Sequence, residues 1–318
     1  MSEPAYHLRP NKAVERSLFL SLLHRIEPYL PERLSNYRYV GMGGPYLDDF
    51  RMLQEAYTGM RMTSLETERH THARQRINQP HRIVQLTRRS SGKFVKDFSP
   101  SQDRHLIWFD HSKPAWAEQI EEACDLLGNL KNGSIFKITL IPKPKHLCVS
   151  TKLEDRHAAL EERFGAFGPY ALGDAAEANF PNTIFKILRE AIANAVPDTQ
   201  YRVVRPLASY FYADKSPILT VTVIVARPAD YATLVTDSGL DDWKFADLDW
   251  SGPLRIEVPE LSVRERISID RWLPGSTPSG IVRRLKMKLA PTRDETVKIV
   301  SDYALFCRHM PQFMRVVY

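Results

Sequence analysis

The first half of the chain alternates between short apolar runs and segments with apolar residues at helical spacing. Apolar runs predict strands over residues 37–40, 62–65, 83–86, 106–109 and 135–141. Helical spacing, with apolar residues every three or four positions, predicts helices over residues 12–30, 46–57, 69–78 and 116–127. We expect Asn11 to be the N-cap of the first helix. Repeated alternation of strand and helix is typical of an α/β fold with a doubly wound, mostly parallel sheet.

The second half of the chain predicts a different ending for this sheet. Helices are expected over residues 154–164 and 183–195, followed by long β-rich stretches at 201–212 and 218–226. The five residues between these stretches are enough only for a hairpin, so the last two strands are expected to be antiparallel. From about Pro228 the chain becomes rich in proline and tryptophan and ends in a predicted helix over residues 294–309.

These patterns predict three segments. We expect an N-terminal helical segment (1–36), an α/β domain (37–227) and a small, mainly helical C-terminal appendage (228–318). The chain has 318 residues, of which 43% are hydrophobic and 26% charged, so a packed core is expected and global disorder is excluded.

Amino-acid composition indicates which cellular compartment and which classes of binding partner to expect. The three cysteines are far apart and form no CxxC pair, which argues against a disulfide framework or a structural zinc site. No apolar run approaches the roughly 20 residues that a bilayer span requires, and we expect a cytoplasmic protein with no membrane partner. The net charge of +6 permits an anionic partner such as nucleic acid or a nucleotide. An ordinary basic surface explains this charge equally well.

Candidate chemistry is concentrated where the predicted strands end. The glycine-rich sequence Gly41-Met42-Gly43-Gly44 follows the first strand, Glu66 ends the second, and Asp110-His111 ends the fourth. Together with the terminal hairpin, these motifs resemble the class I S-adenosylmethionine-dependent methyltransferase superfamily over residues 37–227. The resemblance implies a Rossmann-like sheet of seven mostly parallel strands and S-adenosylmethionine as the cofactor.

The resemblance also implies roles for these residues. The main chain of Gly41, Met42, Gly43 and Gly44 would hold the amino-acid part of the cofactor, and Glu66 would accept its ribose hydroxyls. Asp110 would lie nearest the methyl group. The sequence Phe109-Asp110-His111-Ser112 lacks the two prolines of N6-adenine methyltransferases, so Asp110 or His111 is expected to accept a proton from a hydroxyl or an amine. Alternatively, Asp110 caps the following segment and Glu66 is a solvated charge.

Five basic residues are candidates for binding an anionic substrate. Arg88 and Arg89 follow the third strand, where many members of the superfamily have an acid, and Lys143 follows the fifth. Lys12 and Arg16 lie four residues apart, on one face of the first predicted helix. Arg88, Arg89, Lys12 and Arg16 are also consistent with an ordinary solvated basic surface.

The sequence therefore favours methyl transfer to an oxygen or nitrogen nucleophile, with nucleic acid or a nucleotide as the acceptor. A second hypothesis is a catalytically degenerate relative that binds a nucleotide, an adenosyl ligand or nucleic acid as a binding or regulatory module. Its basis is Tyr39-Val40, which stands where the superfamily usually has an acid before the first glycine. A third is a nucleic-acid-binding protein in which the α/β core is only a scaffold.

Overall fold

The computed structural model describes residues 9–80, 82–100, 102–285 and 287–310. Contacts divide the chain into two compact units. The larger unit comprises Leu20–Phe211 and Lys215–Arg255, and the smaller one comprises Met1–Phe19, Tyr212–Asp214 and Ile256–Tyr318. The division into segments 1–36, 37–227 and 228–318 stays a prediction.

An eight-stranded sheet forms the centre of the larger unit. The strands are β1 (Arg38–Gly41), β2 (Arg61–Leu65), β3 (Val84–Thr87), β4 (His105–Asp110), β5 (Ile135–Leu140), β6 (Val203–Ala213), β7 (Pro217–Ala226) and β8 (Leu254–Arg255). Their order is β3-β2-β1-β4-β5-β7-β6-β8. The first five strands are parallel, and β7 runs antiparallel to β5. The predicted α/β fold with a mostly parallel sheet and a terminal antiparallel hairpin is confirmed, and the two-residue strand β8 is added beside β6.

The first helix precedes β1, and the others lie between or after the strands. They are α1 (Pro10–Ile26), α2 (Asp48–Ala56), α3 (Arg69–Asn78), α4 (Ser91–Lys96), α5 (Trp116–Asn129), α6 (Leu153–Phe164), α7 (Phe180–Ala195), α8 (Pro228–Ser238), α9 (Val263–Asp270), α10 (Pro278–Arg284) and α11 (Arg293–Phe306). The sequence did not predict α4, which Ser90 caps by accepting a hydrogen bond from the Lys93 amide at 3.1 Å. None of the described helices is long and apolar enough to cross a membrane.

The main core of the larger unit lies between one face of the sheet and helices α4, α5 and α7. Every residue of β5 is buried, and in β4 only Asp110 is not fully buried. Strands covered on both faces need apolar side chains at nearly every position. The apolar runs of β4 and β5 could therefore be recognised in the sequence. Central strands with this burial provide a rigid base for the loops at their carboxyl ends.

The smaller unit contains the start of α1 together with α9, α10 and α11. Helix α1 begins at Pro10, so the expectation that Asn11 is its N-cap is wrong. Instead, the Asp214 carboxylate accepts hydrogen bonds from the amides of Asn11 and Lys12, both at 3.2 Å. A carboxylate at this place satisfies free helical N–H groups and opposes the positive end of the helix dipole.

Candidate functional site

The register of the sheet brings three predicted site residues to one edge. Gly41, the last residue of β1, lies opposite Ser64 of β2 on one side and Trp108 of β4 on the other. Glu66 follows Ser64 by two residues, and Asp110 follows Trp108 by two residues. The two acids therefore flank the start of the glycine loop. Neighbouring strands are about 4.8 Å apart, which places the two acids on strands separated by roughly 10 Å. In open parallel sheets this carboxyl edge is where ligands bind.

Two glycines of the loop are required by packing. A Cβ atom on Gly41 would lie 2.4 Å from the hydroxyl oxygen of Tyr39, whose ring packs edge-on against Phe50. A Cβ atom on Gly43 would lie 2.2 Å from Leu47 Cδ2 and 2.9 Å from Phe50 Cε2. Any side chain at these positions would displace neighbouring rings or methyl groups, and the loop therefore lies close against the start of α2.

Helix α3 fixes the second half of the glycine loop. Gly44 and Leu47 both have left-handed backbone conformations, with φ of 51° and 56°. The buried Gln75 donates from Nε2 to the Gly44 carbonyl at 2.8 Å, and Asn78 donates from Nδ2 to the Pro45 carbonyl at 2.8 Å. Sequence reasoning missed both amides, because their partners are more than 30 residues away. The only available sign was two amide side chains on an otherwise basic helix.

Glu66 is held at the tip of β2 by main-chain contacts. Its amide donates to the Thr87 carbonyl at 3.0 Å, and its own carbonyl accepts from the Arg89 amide at 3.1 Å. The side chain is half-buried, and its Oε1 accepts a hydrogen bond from the Glu68 amide at 2.7 Å. Glu68, two residues further along the chain, is exposed. The Glu66 carboxylate is therefore the better oriented of the two.

Asp110 and His111 differ in exposure at the end of β4. Asp110 is half-buried, whereas His111 is buried with its ring edge-on to Phe109 at 5.8 Å between centroids. Burial lowers the pKa of His111 to about 4, and the nearby Asp110 charge opposes part of that shift. Across the described part of the chain, Nε2 of His111 finds no hydrogen-bond partner. The ring is thus neutral near pH 7 and retains an unused nitrogen.

Three basic candidates of the larger unit have different surroundings. Arg88 is exposed. Arg89 is half-buried and forms an ion pair with Asp97, so its guanidinium is directed to α4 and the residue after it. Lys143 donates from Nζ to the Ser216 hydroxyl at 2.8 Å. A substrate role for these residues stays a prediction.

Lys12 and Arg16 belong to the smaller unit and are both buried, at 8% and 6% exposure. Arg16 Nη1 lies 3.8 Å from Oε2 of the neighbouring Glu15. Their predicted role in substrate binding also stays a prediction. No group of three or more metal-ligating side chains occurs within the described ranges.

Comparison with protein families identifies one match that spans nearly the whole chain. The family described as "Putative O-methyltransferase" matches residues 4–318. No curated protein matches the chain.

Several solved structures resemble part of the chain. An S-adenosylmethionine-dependent methyltransferase from Anabaena variabilis is 11% identical, with 67% of this chain and 86% of that chain covered and a TM-score of 0.38. A precorrin-6y C5,15-methyltransferase from Geobacter metallireducens is 12% identical, with 65% and 86% covered and a TM-score of 0.34. An rRNA methylase from Streptococcus thermophilus is 13% identical, with 64% and 94% covered and a TM-score of 0.33. Sequence identities and TM-scores this low give no information on the reaction.

Proposed function

The chain belongs to the O-methyltransferase family that matches residues 4–318, and on that premise we propose that it transfers a methyl group from S-adenosylmethionine to an oxygen nucleophile. The observation that carries the proposal is the register of β1, β2 and β4, which brings the glycine loop, Glu66 and Asp110 to one edge. The family description favours oxygen over nitrogen as the nucleophile.

The residues at this edge fit the cofactor. Main-chain groups of residues 41–44 suit its amino-acid part, because glycine lets a backbone approach a ligand closely, and Met42 and Gly44 are only half-buried. The Glu66 carboxylate is one strand away and suits a ribose diol, which needs an acceptor for two hydroxyl protons. When bound, the cofactor supplies a methyl group that is already activated on a sulfonium sulfur.

The protein must then accept the proton of the attacking hydroxyl. His111 is buried and neutral, and its Nε2 lacks a hydrogen-bond partner elsewhere in the described structure. We assign it as the proton acceptor, with the neighbouring Asp110 charge stabilising the protonated ring. A pKa near 4 makes His111 a weak base, so it is best suited to receive the proton as the carbon–oxygen bond forms, when the hydroxyl becomes acidic.

Cofactor binding is tested by calorimetric titration of the protein with S-adenosylmethionine. Replacement Glu66→Gln keeps the shape of the side chain and removes its charge, so we expect about tenfold weaker binding. Replacement Glu68→Gln is the matched control, because Glu68 is exposed two residues away, and it should leave the affinity unchanged. No binding by the unaltered protein would remove the proposal, and equal losses in both variants would remove the role of Glu66.

Transfer is tested with tritiated S-adenosylmethionine against RNA, DNA, protein and small-molecule pools. His111→Gln should lower the turnover number by about 10² to 10⁴ while the cofactor affinity stays within twofold. A normal rate in this variant would contradict the assignment of His111. Methyl groups found on nitrogen would contradict the choice of an oxygen nucleophile.

Binding without transfer is the second candidate. Tyr39 and Val40 are both buried just before Gly41, in the place where the superfamily usually has an acid. This arrangement removes one expected cofactor contact. Affinity for S-adenosylmethionine without labelling of any pool would favour this candidate over the enzyme.

For the acceptor we propose a nucleic acid. Besides the net charge of +6, the segment 271–293 of the smaller unit contains six Lys or Arg residues and no Asp or Glu. Arg271, Arg283, Lys288 and Arg293 are exposed there, and Trp272 is 40% exposed with the Arg284 guanidinium over its ring at 4.5 Å. Positive side chains can bind a phosphate backbone, and an exposed aromatic ring beside them can stack on an unpaired base.

This acceptor class is tested by the affinity for a single-stranded RNA of about 20 nucleotides at several salt concentrations. We expect the dissociation constant to rise steeply with salt. The double variant Arg283→Gln/Lys288→Gln should weaken binding and flatten this dependence, whereas Arg33→Gln/Arg76→Gln should not. RNA and DNA affinities that are unmeasurable at low salt would remove nucleic acid as the acceptor.

A further inference from the structure

A cavity lies on the face of the sheet and extends to the amino ends of three strands. It has a volume of about 450 Å³ and lies against β1, β2 and β3, beside α4 and the residues that follow it. Arg38, Arg61 and His105 line it, and each is the first residue of its strand. Since a strand rises about 3.3 Å per residue, Arg38 lies roughly 10 Å from Gly41, towards the opposite edge of the sheet.

Four arginines make the cavity basic. Arg38 and Arg61 share the carboxylate of Asp103, and Arg89 pairs with Asp97. Arg82 also lines the cavity and is exposed. Guanidinium groups therefore outnumber carboxylates four to two. Each guanidinium has five N–H donors, and sharing one carboxylate between Arg38 and Arg61 leaves most of their donors for an anion.

The rest of the cavity wall is aromatic and neutral. Phe94 and Phe98 lie with ring centroids 5.6 Å apart, and Phe98 meets the His105 ring edge-on at 5.2 Å. His105 is only 6% exposed, yet no residue within the described ranges accepts from or donates to its Nδ1. Gln85 adds an exposed amide. Flat apolar surface, one unsatisfied buried nitrogen and an amide are groups that recognise a heterocyclic base.

We propose that this cavity is a second binding site, which takes a nucleoside phosphate with its phosphate on the arginines and its base against Phe94 and Phe98. The volume of about 450 Å³ accommodates a mononucleotide. Burial and the Arg38 charge lower the pKa of His105 to about 4, so its ring is neutral near pH 7 and can bond to a base without adding charge. The site does not depend on methyl transfer, and its residues Arg38, Arg61 and His105 lie at the amino ends of their strands.

The test is calorimetric titration with ADP and, separately, with inorganic pyrophosphate, in the presence of saturating S-adenosylhomocysteine. The homocysteine derivative occupies the proposed cofactor site, so remaining ADP binding reports on the second site. Arg82→Gln should weaken both probes about tenfold. Phe98→Leu should weaken ADP about fivefold and leave pyrophosphate unchanged, because only ADP has a base to stack.

Arg76→Gln is the control, since Arg76 is exposed on α3 and does not line the cavity. It should bind both probes as the unaltered protein does. The proposal is overturned if ADP does not bind at millimolar concentration, if S-adenosylhomocysteine displaces it completely, or if Arg82→Gln behaves like the control. A protein that binds ADP but not S-adenosylhomocysteine would contradict the methyltransferase proposal alone.

Discussion

At the scale of single residues, a glycine in the loop after β1 can be required by ligand binding or by packing, and the sequence does not distinguish the two reasons. A glycine after the first strand is usually explained by close approach to a ligand. Gly43 has an additional reason, because a Cβ atom there would lie 2.2 Å from Leu47 Cδ2 and 2.9 Å from Phe50 Cε2. A loss of activity on replacing this glycine would therefore say little about the cofactor unless stability were measured too.

Replacement Gly43→Ala is expected to lower the free energy of unfolding by about 1–3 kcal/mol, because one carbon must be forced against Leu47 and Phe50. Urea unfolding measures this change. Gly128→Ala in α5 is the control, since nothing beyond its chain neighbours and the backbone of its own helix lies within 4 Å of its Cβ position, and alanine is favoured in helices. It should stabilise the protein by up to about 1 kcal/mol. Equal effects of the two replacements would contradict the packing argument.

The buried histidine at the end of β4 should give stability a characteristic pH dependence. Burial lowers the pKa of His111 to about 4 in the folded protein, whereas an unfolded histidine titrates near 6.5. As the pH falls from about 6.5 to about 4, the unfolded chain therefore gains a proton that the folded protein does not. We expect this residue to lower the free energy of unfolding across that range by up to about 3 kcal/mol.

Urea unfolding at several pH values between 7 and 4 checks this expectation. His111→Gln removes the titrating group, so its stability should fall less steeply than that of the unaltered protein. His70→Gln, at an exposed position on α3, should leave the slope unchanged. Parallel curves for His111→Gln and the unaltered protein would show that His111 is not held neutral by burial.

At the scale of elements, α3 connects the tip of β2 to the glycine loop. Gln75 reaches the Gly44 carbonyl from a fully buried position. Replacement Gln75→Ala removes this donor, and we expect the Michaelis constant for S-adenosylmethionine to rise about threefold to tenfold with the turnover number nearly unchanged. The reason is that the amide positions the loop and does not touch the reacting atoms.

Steady-state kinetics together with urea unfolding separate positioning from plain stability. A purely structural role would lower the free energy of unfolding and leave the Michaelis constant as it was. Arg76→Ala, one residue along on the exposed side of α3, should change neither quantity by much. A fall in turnover number without a change in the Michaelis constant would contradict the positioning role.

Some helices and strands could be predicted from the sequence, and others could not. The five parallel strands were predicted within about two residues. Of these, β4 and β5 were the clearest, because strands buried on both faces need continuous apolar runs. The six-residue helix α4 was missed, since one and a half turns are too few for a helical period to show. Asp214 at the start of α1 was missed because it lies more than 200 residues along the chain from the amides that it binds.

Part of the candidate site could likewise be predicted from the sequence, and part could not. The residues at strand ends, Gly41, Glu66 and Asp110, could be placed together from sequence because parallel strands present their carboxyl ends at one edge. The supporting amide of Gln75 and the arginine cavity could not, because both depend on side chains that meet only after the sheet has formed. Strand order decides these contacts, and no local pattern encodes it.

At the scale of the whole molecule, the two units have different candidate ligands. The glycine loop, Glu66 and Asp110 all lie in the larger unit, whereas the acid-free basic segment 271–293 lies in the smaller one. A ligand that binds only the folded state stabilises the structure that it contacts, and such stabilisation slows amide exchange locally. Cofactor and nucleic acid should therefore protect different parts of the chain.

Hydrogen–deuterium exchange of the full chain, measured by mass spectrometry, tests this separation. Saturating S-adenosylhomocysteine should slow exchange in peptides covering residues 41–47 and 65–75, and leave peptides of α10 and α11 unchanged. A single-stranded RNA at low salt should protect residues 271–293, and this protection should disappear at about 0.5 M salt because screening weakens phosphate contacts. If RNA protected residues 41–47 and left 271–293 unchanged, the basic segment would not be its binding surface.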